Sequence, residues 1–178
     1  MAKERHDALR RTRVERMLKE ARARAADSEL LSRSAAKQSD ADYLLSLLAF
    51  EILLKAAHLV HVGTPKRIHS YVQLFNALPA EVQSGLVKAA LERMSTSADY
   101  SDMPKLLSLF SRNFISLRYP YEAYEDLSSD EYVEFGESWV ARGACEEDAT
   151  FVYHPEELFG LTHALERHLQ AWLESSPS

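Results

Sequence analysis

At 178 residues the chain is long enough to bury a full hydrophobic core, and an apolar content of 46% excludes wholesale disorder. With 5 Gly and 6 Pro it has few of the tight turns an all-β fold needs, and its single cysteine, Cys145, excludes an internal disulfide framework and a cysteine-based zinc site. The net charge of −6 conceals a division: residues 1–37 hold 11 Lys+Arg against 6 Asp+Glu, whereas residues 122–157 hold Arg142 alone against 12 acids. Such blocks pair with each other, within a chain or between chains, or the basic one faces phosphate; the commoner outcome is a solvated charged face.

Residues 3–37 are rich in Ala, Arg, Glu and Leu, all good helix formers. Leu9, Val14, Met17, Leu18, Ala21 and Ala25 mark the apolar positions, and Asp27-Ser28 reads as the start of a second helix with Leu30, Leu31 and Ala35 inward. The division expected is a basic N-terminal helix over 1–27, prone to fraying, and a helical domain over 28–174. Ser39 reads as a cap, with Asp40 and Asp42 in the first turn of a helix that runs to about Val62, where Gly63 and Pro65 end it. That helix is apolar on most sides, its polar exceptions being Glu51, Lys55 and His58 at i, i+4 and i+7. A membrane span would carry those charges at heavy cost, so it reads as the centre of a bundle. No secretory signal is visible, and a cytoplasmic protein without membrane attachment is expected.

A short amphipathic helix follows over 68–78, and Pro79 opens the next, with Val82, Leu86, Val87, Ala90, Leu91 and Met94 for burial. After a polar loop over 95–101, a helix runs from near Asp102 to about Tyr119, where Pro120 stops it; Leu106, Leu107, Phe110, Phe114 and Leu117 form its core side. Residues 122–153 read as an irregular acidic excursion with short extended pieces at 132–135 and 151–153. The last helix starts at Pro155 and ends before Pro177, with Leu158, Leu161, Leu165, Leu169 and Trp172 at helical spacing. The predicted class is all-α: a bundle of up-down helices with that irregular excursion before the last one. There is no internal repeat, glycine-rich phosphate loop or sustained heptad.

Three stretches carry a resemblance: the central "SLLAFEILLKAAHLV" with Glu51 and Lys55 four apart, "RIHSYVQLFNALP" with His69 opening a short helix, and "LFSRNFISLRYPYE" with an Arg-Asn pair and tyrosines at a helix end. In this order, over about residues 28–172, they resemble the HEPN family of nucleic-acid- and nucleotide-associated helical bundles. The resemblance implies a homodimer that needs no metal or cofactor. In active members two R-x4-6-H segments meet across the dimer; His helps move the proton of a ribose 2′-hydroxyl and Arg stabilises the phosphate, roles that suit both side chains.

Arg112 and Asn113 match the start of that motif, but Leu117, Arg118 and Tyr119 stand where the His belongs. Tyr119 is seven residues after Arg112, on the same helix face while the helix lasts, and Tyr119-Pro120-Tyr121 resembles the family's His-x-Tyr ending with the His replaced. A phenol with a pKa of about 10 is a poor base at neutral pH. The candidate catalytic set is Arg112, Asn113 and Tyr119; the candidate nucleotide- or RNA-binding set is Arg118, Glu51, Lys55, His69 and Tyr121.

Plainer readings stand beside these. Arg112 and Asn113 suit helix-end capping and an ion pair with Glu122. Glu51 and Lys55 suit an ordinary i, i+4 pair of about 0.3–0.5 kcal/mol, although on the least polar helix. His69 suits a helix start, and His58/His61 and His163/His168 lack an acid-rich zinc pattern. The resemblance also implies that a tyrosine here can be modified by a partner nucleotidyltransferase. The function expected is a non-catalytic or weakly active binder of RNA or a nucleotide, in a defence or toxin-antitoxin-like system with a cognate partner protein. The alternatives are a metal-independent endoribonuclease using Arg112, Asn113 and Tyr119, with His69 as a further candidate, and a helical adaptor that docks through its basic N-terminal helix and acidic 122–157 segment.

Overall fold

The computed structural model of the chain describes residues 2–34, 39–64, 68–94, 97–145 and 148–175. The described residues contain seven α-helices, one short 3-10 turn and no strand: α1 (Ala2–Ser32), α2 (Ala41–His61), α3 (Tyr71–Asn76), α4 (Ala80–Arg93), α5 (Met103–Ser116), the turn Pro120–Tyr124, α6 (Ser129–Ala141) and α7 (Pro155–Ser175). The all-α class is therefore observed.

Helix α2 is enclosed by α1, α7, α3 and α5, while α4 packs on α7. Its apolarity explains the position. Leu47, Phe50, Leu53, Leu54, Ala56 and Ala57 point in several directions and are all buried, so the helix needs neighbours on most sides. By length and composition α2 could also cross a membrane, but more than half of its most apolar window is buried within the bundle. Phe50 anchors the centre, edge-on to Tyr71 at 5.3 Å and to Phe110 at 5.7 Å. Gly63 ends the helix at φ +130°, with its N–H donating to the His58 carbonyl at 2.9 Å. Pro65 lies outside the described residues.

Several local expectations are corrected. Helix α1 runs unbroken through Asp27 and Ser28, with no second start there. Ser28 caps nothing; its hydroxyl donates to the Asp42 carbonyl at 2.7 Å and meets the Ser46 hydroxyl at 2.8 Å. The inward stripe of α1 is Val14, Leu18, Ala21 and Ser28, which leaves Leu9, Leu30 and Leu31 off it and exposed. The expected boundary at residue 27 thus falls inside a helix whose earlier turns already belong to the core. Asp40, not Ser39, stands at the cap of α2, and its side chain makes no capping bond.

The larger correction concerns residues 122–153. This stretch contains α6, which takes in 132–135 in place of the expected extended piece; 151–153 lie outside any helix and form no strand. A capping box starts the helix: Ser128 Oγ accepts from the Glu131 N–H at 3.3 Å, and Glu131 Oε2 accepts from the Ser128 N–H at 2.8 Å. Helix α5 ends three residues sooner than expected, at Ser116, so Tyr119 lies in the turn beyond it and no longer shares a helix face with Arg112. On α7, Gly160 passes so near the Tyr100 hydroxyl that any Cβ there would collide with it and would meet Met94 Cγ at 3.0 Å.

Candidate functional site

The site forms where the middle of α2 meets the start of α3 and the end of α5. Glu51 is 4% exposed on the apolar α2, where an unpaired carboxylate would be very costly. Three donors surround it. Its Oε1 accepts from Lys55 Nζ at 2.6 Å and lies 3.0 Å from His69 Nδ1; its Oε2 accepts from the Tyr71 hydroxyl at 3.3 Å. Tyr71 is fully buried, and its phenol is pushed far up, first by burial and then by the Glu51 charge, so it remains a donor.

Helix α3 is placed by its first turn. Ser70 Oγ accepts from the Gln73 N–H at 3.3 Å, and Ser111 Oγ of α5 accepts from the Tyr71 N–H at 3.0 Å. This fixes His69 immediately before the helix. Its ring stacks over Phe114 with centroids 6.3 Å apart and planes at 24°. The Glu51 carboxylate at Nδ1 favours the tautomer protonated there and leaves Nε2 with a lone pair. The His69 side chain is 55% exposed, so that nitrogen belongs to an imidazole open to solvent.

Arg118 completes the arrangement. Its guanidinium carbon lies 4.5 Å from the Phe114 ring centroid, and its Nε donates to the Phe114 carbonyl at 2.9 Å, leaving the two terminal nitrogens for a ligand. Phe114 is thus a shared floor for imidazole and guanidinium. Counting formal charges, the cluster holds one buried carboxylate and two cations, Lys55 and Arg118, which favours an anion beside the oriented imidazole.

Of the residues singled out in the sequence, Glu51, Lys55 and His69 converge, with Arg118 beside them on Phe114. Arg112 does not join them. It is exposed and lines a separate hollow with Asp99, Asp102, Lys105, His154 and Glu157, and it forms no ion pair with Glu122 or with any other described residue. Ser111 and Phe114 fix the side of α5 that faces the cluster, and Arg112 is turned away from it. Asn113 is fully buried, and its Nδ2 donates to the Val152 carbonyl at 2.7 Å, tying the 148–154 strap to α5. Tyr119 and Tyr121 are exposed on the turn after α5, edge-on to each other at 6.3 Å. Sequence reasoning missed Tyr71, Ser111 and Phe114 as parts of the site; Tyr71, two residues after His69 at a helix start, was the available signal.

A second histidine arrangement joins α2 to α7. His61 Nε2 and His168 Nε2 are 2.8 Å apart, a pairing across helices rather than His58 with His61 or His163 with His168. Among the described residues no group of three or more His, Cys, Asp or Glu could hold a metal ion. Compared with protein-family models, curated proteins and solved structures, the chain matches none.

Proposed function

We propose that the protein is a HEPN-like binder of RNA or a nucleotide, and that it holds a phosphate with Arg118 and Lys55 beside His69. The observation that supports this most is the Glu51 cluster: a buried carboxylate that holds Lys55 and orients an exposed imidazole, with the Arg118 guanidinium on the same Phe114 ring as that imidazole. Guanidinium grips phosphate through paired N–H groups, and the flat His69 ring is suited to stacking on a base. This reading moves the anion contact from Arg112 to Arg118. Arg112 shares its hollow with three acids, which oppose phosphate there.

The test is fluorescence anisotropy of a labelled single-stranded RNA and of a labelled nucleotide at low salt. Wild type is expected to bind at least one in the micromolar range, and Arg118→Ala to weaken that binding about tenfold. Absence of binding to both probes, or a loss with Arg112→Ala but not with Arg118→Ala, would remove this reading.

A specific observation favours a second reading, a metal-independent endoribonuclease. Glu51 on Nδ1 leaves His69 Nε2 placed as a general base for a ribose 2′-hydroxyl, a role that Tyr119 is poorly suited to fill. RNA incubated in EDTA with wild type and His69→Asn decides it. Cleavage lost in His69→Asn establishes the nuclease; equal product with both proteins points to contamination.

A further inference from the structure

Helix α6 has no buried residue, yet its aromatic side chains all turn one way. Tyr132, Phe135 and Trp139, three and four residues apart, line a hollow whose other walls are Tyr124, Phe151 and Tyr153. These rings are held in place. Tyr124 meets Tyr132 edge-on at 5.0 Å and Phe135 at 6.2 Å. The Trp139 indole donates to the Cys145 carbonyl at 2.9 Å. Across the hollow Phe151 packs on the core, Tyr153 stands edge-on to Tyr43 at 5.0 Å, and Asn113 grips the Val152 carbonyl between them. Tyr132 nevertheless remains 52% and Phe135 41% exposed. Uncovered ring surface around a hollow of about 350 Å³ suits a small ligand, since that volume lies at the lower end of ligand sites.

Charge selects the class of ligand. Asp148 is the one charged residue lining the hollow among the described residues, and residues 120–141 hold 7 acids and no Lys or Arg. That field repels the phosphate of a nucleotide and draws a cation. The rings draw a cation as well, through the negative faces of their π systems. No cation of the chain takes the place already. The arginine–ring contacts among the described residues fall on Trp172, Phe159 and Phe114, and Arg142 reaches Ser138 instead. A primary ammonium is strongly hydrated, whereas a quaternary one sheds water at little cost and offers methyl groups to the rings. We infer that the hollow between α6 and the 148–154 strap binds a small quaternary ammonium compound, its cation held among Tyr132, Phe135, Trp139 and Phe151 with Asp148 beside it. This site is separate from the Glu51 cluster and stands independently of the function proposed there.

Gly136 supplies the means of testing it. It lines the hollow one turn from Tyr132, and a Cβ there would meet nothing within 4 Å. Gly136→Leu therefore fills the hollow from a helix that leucine favours over glycine. The experiment is titration of the full chain with choline, read from the indole N–H resonances of its 2 tryptophans. The Trp139 signal is expected to shift with a dissociation constant of roughly 1 mM or below, while that of Trp172 stays. The neutral isostere of choline, with carbon in place of nitrogen, is expected to bind about tenfold more weakly, and Asp148→Asn to weaken choline about threefold. Gly136→Leu is expected to abolish the shift at unchanged helicity. No Trp139 shift at about 20 mM choline, equal binding of the isostere, or full binding by Gly136→Leu would each overturn the inference. So would tighter binding of adenosine monophosphate or of a trimethyl-lysine peptide at the same signal, which would make the hollow a base-stacking or peptide site.

Discussion

Two carboxylate–imidazole pairs lie on either side of helix α5, and they are built for different work. On one side Glu51 holds His69 at 3.0 Å, the ring is 55% exposed, and Lys55 and Arg118 flank it. On the other, His154 Nδ1 is 3.8 Å from Glu157 Oε2, and its side chain is only 27% exposed. Glu157 instead accepts from the Asp99 N–H at 2.9 Å, pinning the turn before α5 to the first turn of α7. Asp99, Asp102 and Glu157 outnumber Lys105 and Arg112 in that hollow, whereas the cations outnumber the carboxylate around Glu51. Pairing an acid with a histidine is thus insufficient for a site; the free ring nitrogen must reach solvent and the neighbouring charge must suit the ligand.

The strongest way to break this comparison is to remove each acid. Glu51→Ala leaves the Lys55 ammonium without its partner and the Tyr71 hydroxyl with the Leu47 carbonyl as its remaining acceptor, and is expected to cost about 3 kcal/mol in urea denaturation. Glu157→Ala loses a bond to one backbone N–H and a favourable charge at a helix start, about 1–2 kcal/mol. Equal costs would show that the two pairs do the same structural work. A similar cost of about 1–2 kcal/mol is expected for Asn113→Ala, together with faster proteolysis of the 148–154 strap, while RNA or nucleotide affinity stays within about twofold. Lost affinity in that variant would return the ligand to the Arg112 side.

The comparison is sharpened by a pH series, whose effect is the smallest. Burial holds the His168 imidazole below its ordinary value, helped by His61; burial does the same to His61, with Glu81 opposing it and Arg10 adding to it. A histidine with a lowered folded-state pKa contributes its full stability above the unfolded value of 6.5 and loses it as pH falls from there toward the folded value. Thermal midpoints are therefore expected to drop between about pH 7.5 and 5.5, and His168→Gln to flatten the drop. A flat wild-type curve would mean that this junction does not report on acidification, and any change in ligand binding over that range would then belong to the site.

Much of the fold was legible where one signal dominated. The central helix announced itself because apolar residues on all sides leave a helix no stable place but the middle of a bundle. The last helix followed from Pro155 and its leucine stripe. Helix α6 was obscured because acids, Gly136 and aromatics blur its periodicity, although Ser128 with Glu131 three residues later is a capping signature that sequence alone displays. Glu51, Lys55 and His69 were singled out, yet their convergence depends on how α3 folds back over α2, which no local pattern encodes. The choice between Arg112 and Arg118 was equally hidden, because it turns on where α5 ends and which of its sides meets α3.

Gly160 and Tyr100 bear on how this sequence can drift. An alanine at 160 has no room while the phenol oxygen is present, whereas Tyr100→Phe gives up only one hydrogen bond, to the Glu157 carbonyl at 3.3 Å. The order of change is therefore constrained: the loss at position 100 must come first, and even then a methyl at 160 needs Met94 Cγ, at 3.0 Å, to give way. Among descendants of a common ancestor, a methyl at 160 should be found together with phenylalanine or a smaller residue at 100, and a chain carrying alanine beside tyrosine should show α7 shifted away from the turn that precedes α5.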